Sequence, residues 1–136
     1  MSESRLQGAL ILQLADGYRF IGSETAVCVV SAHSLLEVPG LAPPALGLSL
    51  VSDRVVTVLS LGQFDQRDWV LCHIDGDWMG LSGARVVSFG LFPLSDRNTI
   101  RWNDRDTEML DVRALHLSAE QAIWRARAAR DESRHT

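Results

Sequence analysis

Short apolar segments separated by tight-turn signals run through most of the chain, and this pattern constrains its fold more than any other feature. The clearest pair, residues 69–74 and 78–81, flanks Asp75-Gly76-Asp77. An Asp-Gly step between two such segments is a strong β-hairpin signal, because the central positions of the turn need a positive φ. This stretch therefore predicts two adjacent antiparallel strands.

Further strands are predicted on both sides of this hairpin. Residues 45–51 and 54–61 form a second predicted hairpin around Ser52-Asp53. Segment 25–30 is apolar at nearly every position, which predicts a strand buried on both faces. The remaining predicted strands are 9–14, 18–21 and 85–92. Strands at this regular spacing are typical of a β-sandwich or of a pair of small barrels.

The end of the chain has a different pattern. Ser118-Ala-Glu-Gln121 has the sequence of a capping box, in which serine and glutamine satisfy free N–H groups at a helix start. The alanines that follow favour a helix up to about Arg130. The side predicted to be buried consists of Ala122, Ala126 and Ala129 with Trp124. We expect this side to dock on the protein's own barrel; the alternative is a helix that binds a partner.

Composition excludes several classes of function. The 136 residues suffice for one domain, and their formal net charge of −4 argues against binding to nucleic acid or to an anionic membrane. No lysine is present, so Schiff-base chemistry is excluded. No signal peptide or membrane span is predicted, and Cys28 and Cys72 lie in apolar stretches that favour buried free thiols. These features predict a soluble cytoplasmic protein.

The sequence contains no constellation of residues typical of an enzyme. The four histidines include no i, i+4 pair, and no Cys-x-x-Cys motif accompanies them. Cys72 and His73 are neighbours in a predicted strand, so their side chains point to opposite faces and cannot share one metal. Phosphate-binding glycine loops and nucleophile elbows are absent. We therefore predict no catalytic, cofactor-binding or metal-binding residue.

Several segments, in order along the chain, resemble the CheW-like domain of bacterial chemotaxis proteins. Ala32-His-Ser-Leu-Leu-Glu-Val38, followed by Pro43-Pro44, is similar to the family's Glu-Val or Glu-Ile pair and its proline-rich connection. Residues 47–61 match the apolar pattern that surrounds an Arg-Gly pair in the family. Met109-Leu-Asp-Val-Arg-Ala-Leu115 is similar to the closing Leu-Asp-x-x-x-Leu, and Gly80-Leu81 matches a landmark between them.

This resemblance implies an architecture and a role. It covers residues 9–117 as a CheW-like domain and leaves residues 118–136 as a C-terminal helix and tail. It implies an all-β fold of two small five-stranded SH3-like barrels, side by side, with an apolar groove between them. It also implies a non-catalytic adaptor without a cofactor. The implied partners are the cytoplasmic domain of a chemoreceptor and a CheA-type histidine kinase or another CheW-like protein, at receptor clusters in the cytoplasm.

Four residues are predicted to lie at partner surfaces. Glu37 and Val38 form the matching Glu-Val pair, whereas Ser52 and Asp53 stand where the family usually has Arg-Gly. Barrel core is the alternative for Val38, and an ordinary hairpin turn is the alternative for Ser52 and Asp53. Exchanging a guanidinium for a hydroxyl and a carboxylate reverses the local charge, which would repel an acidic partner surface. We expect a divergent adaptor that binds receptor or a variant partner but bridges poorly to the kinase.

A second hypothesis comes from a different class of protein. A small β-barrel enzyme or ligand-binding protein could use an apolar pocket that contains Trp69, Trp78 and Trp102. Core packing is the simpler interpretation of these tryptophans. A metabolite or metal retained through purification would favour this hypothesis, and co-purification with a receptor fragment would favour the adaptor.

Overall fold

The computed structural model describes residues 5–64 and 66–134, with side chains up to residue 128. Strands occupy most of these residues, as the sequence predicts. The elements are β1 (Leu6–Leu14), β2 (Gly17–Gly22), β3 (Ala26–Ser31), β4 (Ala45–Val51), β5 (Arg54–Ser60), β6 (Asp68–Ile74), β7 (Asp77–Ser82), β8 (Arg85–Asp96), β9 (Thr99–Trp102), β10 (Arg105–Glu108) and α1 (Val112–Arg134).

The first sheet joins the beginning of the chain to its later strands. Its order is β10-β9-β8-β1-β2, and all its pairs are antiparallel. The chain beyond β10 returns to β2, where the N–H of Leu110 donates to the carbonyl oxygen of Phe20 at 2.9 Å. The two edges of the sheet therefore meet. Its interior is a small cluster built on Ala9, Ile11, Phe20 and Ile100.

The second sheet holds both hairpins that the sequence predicts most clearly. Its order is β3-β6-β7-β5-β4, and β5 and β7 run parallel while the other pairs are antiparallel. The turns fall at the predicted places: Asp75 and Gly76 have φ of 50° and 84°, and Ser52 and Asp53 have φ of 49° and 63°. These values are those that tight hairpin turns require. The predicted all-β fold of two five-stranded units with a C-terminal helix is confirmed.

One apolar cluster holds the two sheets and the helix together. Its fully buried members include Leu12 from the first sheet and Leu59 and Met79 from the second. Val112 and Ala119 join it from α1. Such burial stabilises by about 25 cal/mol per Å² of apolar surface, so this shared cluster fixes the relative placement of both sheets and the helix.

The helix begins earlier than the sequence predicts. A carboxylate oxygen of Asp111 accepts a hydrogen bond from the N–H of Ala114 at 3.0 Å, which caps the helix start. Ser118 therefore lies inside α1, and the predicted capping box there is wrong. The earlier start follows from packing, because it lets Val112 enter the shared core.

The docked side of α1 differs in part from the predicted one. Ala119 and Ala126 are buried and Ala122 is half-buried, as expected for docking on the barrel. Trp124 is 65% exposed, so its predicted place on the buried side is wrong. The side chain of Ala129 lies outside the described residues.

Strand β3 corrects another prediction. It lies at one end of its sheet order, and Val27, Cys28 and Val29 are exposed, so a strand buried on both faces is wrong. Both thiols are predicted to be buried; Cys72 is buried, whereas Cys28 is exposed. Burial, with a smaller effect from the neighbouring Cys28, raises the pKa of Cys72 to about 12, so this thiol stays protonated at neutral pH.

Two elements lie in a stretch where no strand was predicted. Residues 99–108 form the β9–β10 hairpin, and its turn places Asn103 and Asp104 at φ of 53° and 60°. Ile100 and Trp102 anchor it in the first sheet's core. In the described part of the chain, no helix is long and apolar enough to cross a membrane.

Candidate functional site

An open apolar groove lies where the chain after β3 crosses beside β4. The N–H of Leu36 donates to the carbonyl oxygen of Leu48 at 2.7 Å, and the N–H of Leu48 donates back at 3.0 Å. The hydroxyl of Ser49 donates to the carbonyl oxygen of Ser34 at 2.9 Å. Gly47 permits this close approach, since a Cβ there would lie 2.5 Å from the carbonyl oxygen of Leu36. These bonds fix the segment against the strand.

The groove encloses about 480 Å³ and is almost entirely apolar. Its lining consists of Ser34, Leu35, Leu36, Leu48, Ser49, Leu50 and Val55. Leu36, Leu50 and Val55 are each between 61% and 68% exposed. Large apolar side chains gathered at one exposed concave place are typical of a binding surface rather than of ordinary scattered surface residues.

Glu37 and Val38 continue directly from the groove. Glu37 is exposed, and Val38 is half-buried, so Val38 is neither a fully buried core residue nor a free surface one. The carbonyl oxygen of Val38 accepts a hydrogen bond from the N–H of Leu41 at 3.1 Å, which turns the chain away from the groove.

Ser52 and Asp53 form the exposed tip of the β4–β5 hairpin. This confirms the hairpin turn, and both residues are accessible for contact as well. The adjacent Arg54 keeps a cation near the tip, because its guanidinium lies 4.2 Å from the centre of the Trp78 ring. The sequence analysis considered only Ser52 and Asp53 and predicted a reversed local charge. The structure shows that the positive charge of Arg54 lies in the same hairpin.

The two predicted pairs lie next to groove residues in the sequence, Glu37-Val38 after Leu36 and Ser52-Asp53 between Leu50 and Val55, and none of the four lines the groove itself. Ser52 follows Leu48 by four residues along the strand direction, a distance of roughly 13 Å at the usual strand rise. Sequence reasoning missed the apolar residues between them. Their signal is the alternation in β4, where Leu46, Leu48 and Leu50 occupy every second position and therefore share one face.

The three tryptophans of the ligand-binding hypothesis do not share a pocket. Trp69 is buried in the second sheet's interior with Trp78 partly buried beside that cluster. Trp102 belongs to the first sheet's core, where its ring centre lies 5.0 Å from that of Tyr18. All three residues therefore serve core packing, as the simpler interpretation predicts.

A polar cluster that the sequence did not indicate joins α1 to β7. His116 is buried, and its Nε2 lies 2.9 Å from a carboxylate oxygen of Asp77 and 3.4 Å from one of Glu120. Its other ring nitrogen, Nδ1, is buried without a hydrogen-bond partner among the described residues. Nothing in the local sequence predicts this cluster, because Asp77 is far from the helix along the chain.

The comparisons with known proteins bear on the fold. No protein-family model matches the chain, and no curated protein matches its sequence. A solved structure, the scaffolding protein TtCheW from Thermoanaerobacter tengcongensis, is similar with a TM-score of 0.61 and 12% sequence identity. The similarity covers 77% of this chain and 88% of that protein. The chain therefore has the two-sheet fold of a CheW scaffolding protein.

Proposed function

We propose that this protein is a non-catalytic CheW-like adaptor in a bacterial chemosensory pathway. Its fold likeness to a CheW scaffolding protein is the observation that carries the proposal. The resemblance of residues 32–38, 47–61 and 109–115 to the family's pattern is independent of that likeness. Residues 9–117 are the adaptor domain, within which α1 begins at Val112, and residues 118–136 carry the rest of the C-terminal helix and the tail. The protein acts in the cytoplasm at receptor clusters.

The proposed receptor site is the groove. Its exposed apolar lining fits the apolar face of an amphipathic helix, such as one from the cytoplasmic domain of a chemoreceptor. Glu37 and Val38 would contact this helix at one end of the groove. Ser52 and Asp53, at the hairpin tip, would face the second partner, a CheA-type kinase or another CheW-like protein.

Charge placed in the groove is expected to weaken receptor binding. Leu50→Asp, and separately Val55→Asp, should weaken binding to a purified receptor cytoplasmic fragment by at least about tenfold, because a carboxylate would be desolvated against an apolar helix. Both side chains are largely exposed in the free protein, so stability should change little. Calorimetric titration measures the affinity.

Leu117→Asp is the matched control for this experiment. Leu117 is 53% exposed and lies on α1, and it is not one of the residues that line the groove. It should leave the affinity unchanged. If Leu50→Asp, Val55→Asp and Leu117→Asp all bind the receptor fragment as tightly as the unmodified protein, the groove is not the receptor site.

Restoring the family's Arg-Gly pair is expected to improve coupling to the kinase. The unmodified protein should form a weak complex with receptor and kinase together, and the double variant Ser52→Arg, Asp53→Gly should strengthen it. Glycine suits the φ of 63° at position 53, so the hairpin should tolerate the change. Size-exclusion chromatography of the three-component mixture measures assembly.

Asp104→Gly serves as the control, because Asp104 has a similar φ of 60° but lies in the β9–β10 turn. Asp104→Gly removes the same strain of a non-glycine residue at positive φ, and it leaves the β4–β5 tip unaltered. Tight assembly of the unmodified protein, unaffected by either variant, would show that the kinase surface lies elsewhere.

A further inference from the structure

Three potential metal ligands meet at one point on the protein, in a pocket that shares Val55 with the edge of the groove. Asp77 is the first residue of β7, while His116 and Glu120 are one helical turn apart on α1. The carboxylates are exposed and the imidazole is buried. A shallow pocket beside them is lined by Thr57, Trp78, Ala119 and Ile123 among others. A small ion can therefore reach the cluster from solvent.

The spacing of the donor atoms suits a tetrahedral cation. One nitrogen and two carboxylate oxygens lie within 4.8 Å of one another. Metal–ligand bonds of about 2.0–2.1 Å in a tetrahedron place neighbouring donors about 3.3 Å apart. The separation of His116 Nε2 from Glu120 is 3.4 Å, which already fits, and that from Asp77 is 2.9 Å. A tetrahedral site needs a small opening of the His116–Asp77 contact, and the two carboxylate oxygens, which lie within 4.8 Å of each other, must also settle near about 3.3 Å.

We propose that Asp77, His116 and Glu120 bind a zinc-class divalent cation that fastens α1 to the β6–β7 hairpin. Two carboxylates neutralise the charge of the cation, and the imidazole makes the site prefer Zn²⁺ or Co²⁺ to Mg²⁺ or Ca²⁺, which take more oxygen ligands. The fourth position is open to water. Because the ligands come from both a strand and a helix, the cation binds the folded state in preference to the unfolded one.

The buried nitrogen of His116 limits the affinity. Nε2 lies 2.9 Å from a carboxylate oxygen of Asp77, and Nδ1 is buried without a hydrogen-bond partner among the described residues. When the cation takes Nε2, the neutral ring must carry its proton on Nδ1, which has no acceptor among the described residues. Missing outer partners of this kind weaken metal sites by about 10–100-fold. The site should therefore exchange its ion readily rather than hold it permanently.

Thermal unfolding with and without zinc tests the proposal. The protein is used without an affinity tag and with Cys28→Ser, which removes an exposed thiol that could compete for zinc. At free Zn²⁺ about a hundred times its Kd, Tm should rise by about 5–10 °C, and equal Mg²⁺ should have no effect. Co²⁺ should give the visible absorption bands of a tetrahedral complex.

Glu120→Gln is the decisive variant, because it preserves the His116–Asp77 hydrogen bond while removing one charged ligand. It should lower zinc affinity at least about tenfold, whereas Glu108→Gln, an exposed residue of β10, should not. A Tm that does not respond to zinc would overturn the proposal. So would a zinc response that Glu120→Gln leaves intact, since the ion would then bind elsewhere. Neither result tests the groove as a receptor site, because none of the three proposed ligands lines it.

Discussion

Gly83→Ala is expected to lower the free energy of unfolding by about 2–5 kcal/mol. Gly83 has φ of 88° and connects β7 in the second sheet to β8 in the first. A Cβ there would overlap the backbone of Gly62, with the carbonyl carbon at only 2.5 Å. The left-handed backbone costs an alanine about 1–2 kcal/mol, and the forced displacement of a packed segment costs about 1–3 kcal/mol more.

The displaced segment is fixed on both sides, which prevents a cheap adjustment. The N–H of Leu61 donates to the carbonyl oxygen of Ser82 at 2.7 Å, and that of Phe64 donates to the carbonyl oxygen of Gly83 at 2.9 Å. Moving Gly62 away from a new methyl group would strain both hydrogen bonds. Urea unfolding measures the change.

Gly76→Ala separates the two causes. Gly76 has nearly the same φ, 84°, but a Cβ there would meet nothing within 4 Å. It should cost only about 1–2 kcal/mol, the backbone contribution. Equal destabilisation of the two variants would show that the backbone of Gly62 leaves room for a methyl group at position 83.

The fold could be predicted where local turn chemistry and the apolar pattern agree. The Asp75-Gly76 and Ser52-Asp53 turns each lie between two apolar segments, so both hairpins were predicted at nearly their observed bounds. The prediction was wrong where contacts between distant parts of the chain determine the bounds or the burial of an element. The start of α1 depends on Val112 reaching a core formed by distant strands, and the exposure of β3 depends on its place in the sheet order.

The candidate site could be predicted only in part. The resemblance predicts Glu37, Val38, Ser52 and Asp53 at partner surfaces, and in the structure these residues adjoin the groove lining in sequence without belonging to it. The resemblance could not identify the groove lining, because the sequence alone does not show which leucines are exposed and which are buried. The same holds for the His116 cluster, whose members are brought together only when α1 docks near the β6–β7 hairpin.

Deleting residues 118–136 is expected to lower Tm by roughly 10–15 °C. The deletion removes Ala119 and Ala126, which are 1% and 4% exposed, together with the half-buried Ala122 and Ile123. It also uncovers part of the shared core, for a loss of about 3–5 kcal/mol. Differential scanning calorimetry in a metal chelator measures the change without any contribution from bound ions.

A pair of point variants tests the same docking without truncation. Ala126→Arg places a long charged side chain on the docked side, where the Cβ of Ala126 lies close to Gly40, and it should lower Tm clearly. Ala128→Arg makes the same change at an exposed position of the same helix and should leave Tm nearly unchanged. Receptor affinity should stay the same in both, because the groove is formed without α1. If truncation instead left Tm unchanged and abolished receptor binding, α1 would be the recognition element, and its docking on the barrels would not contribute to stability.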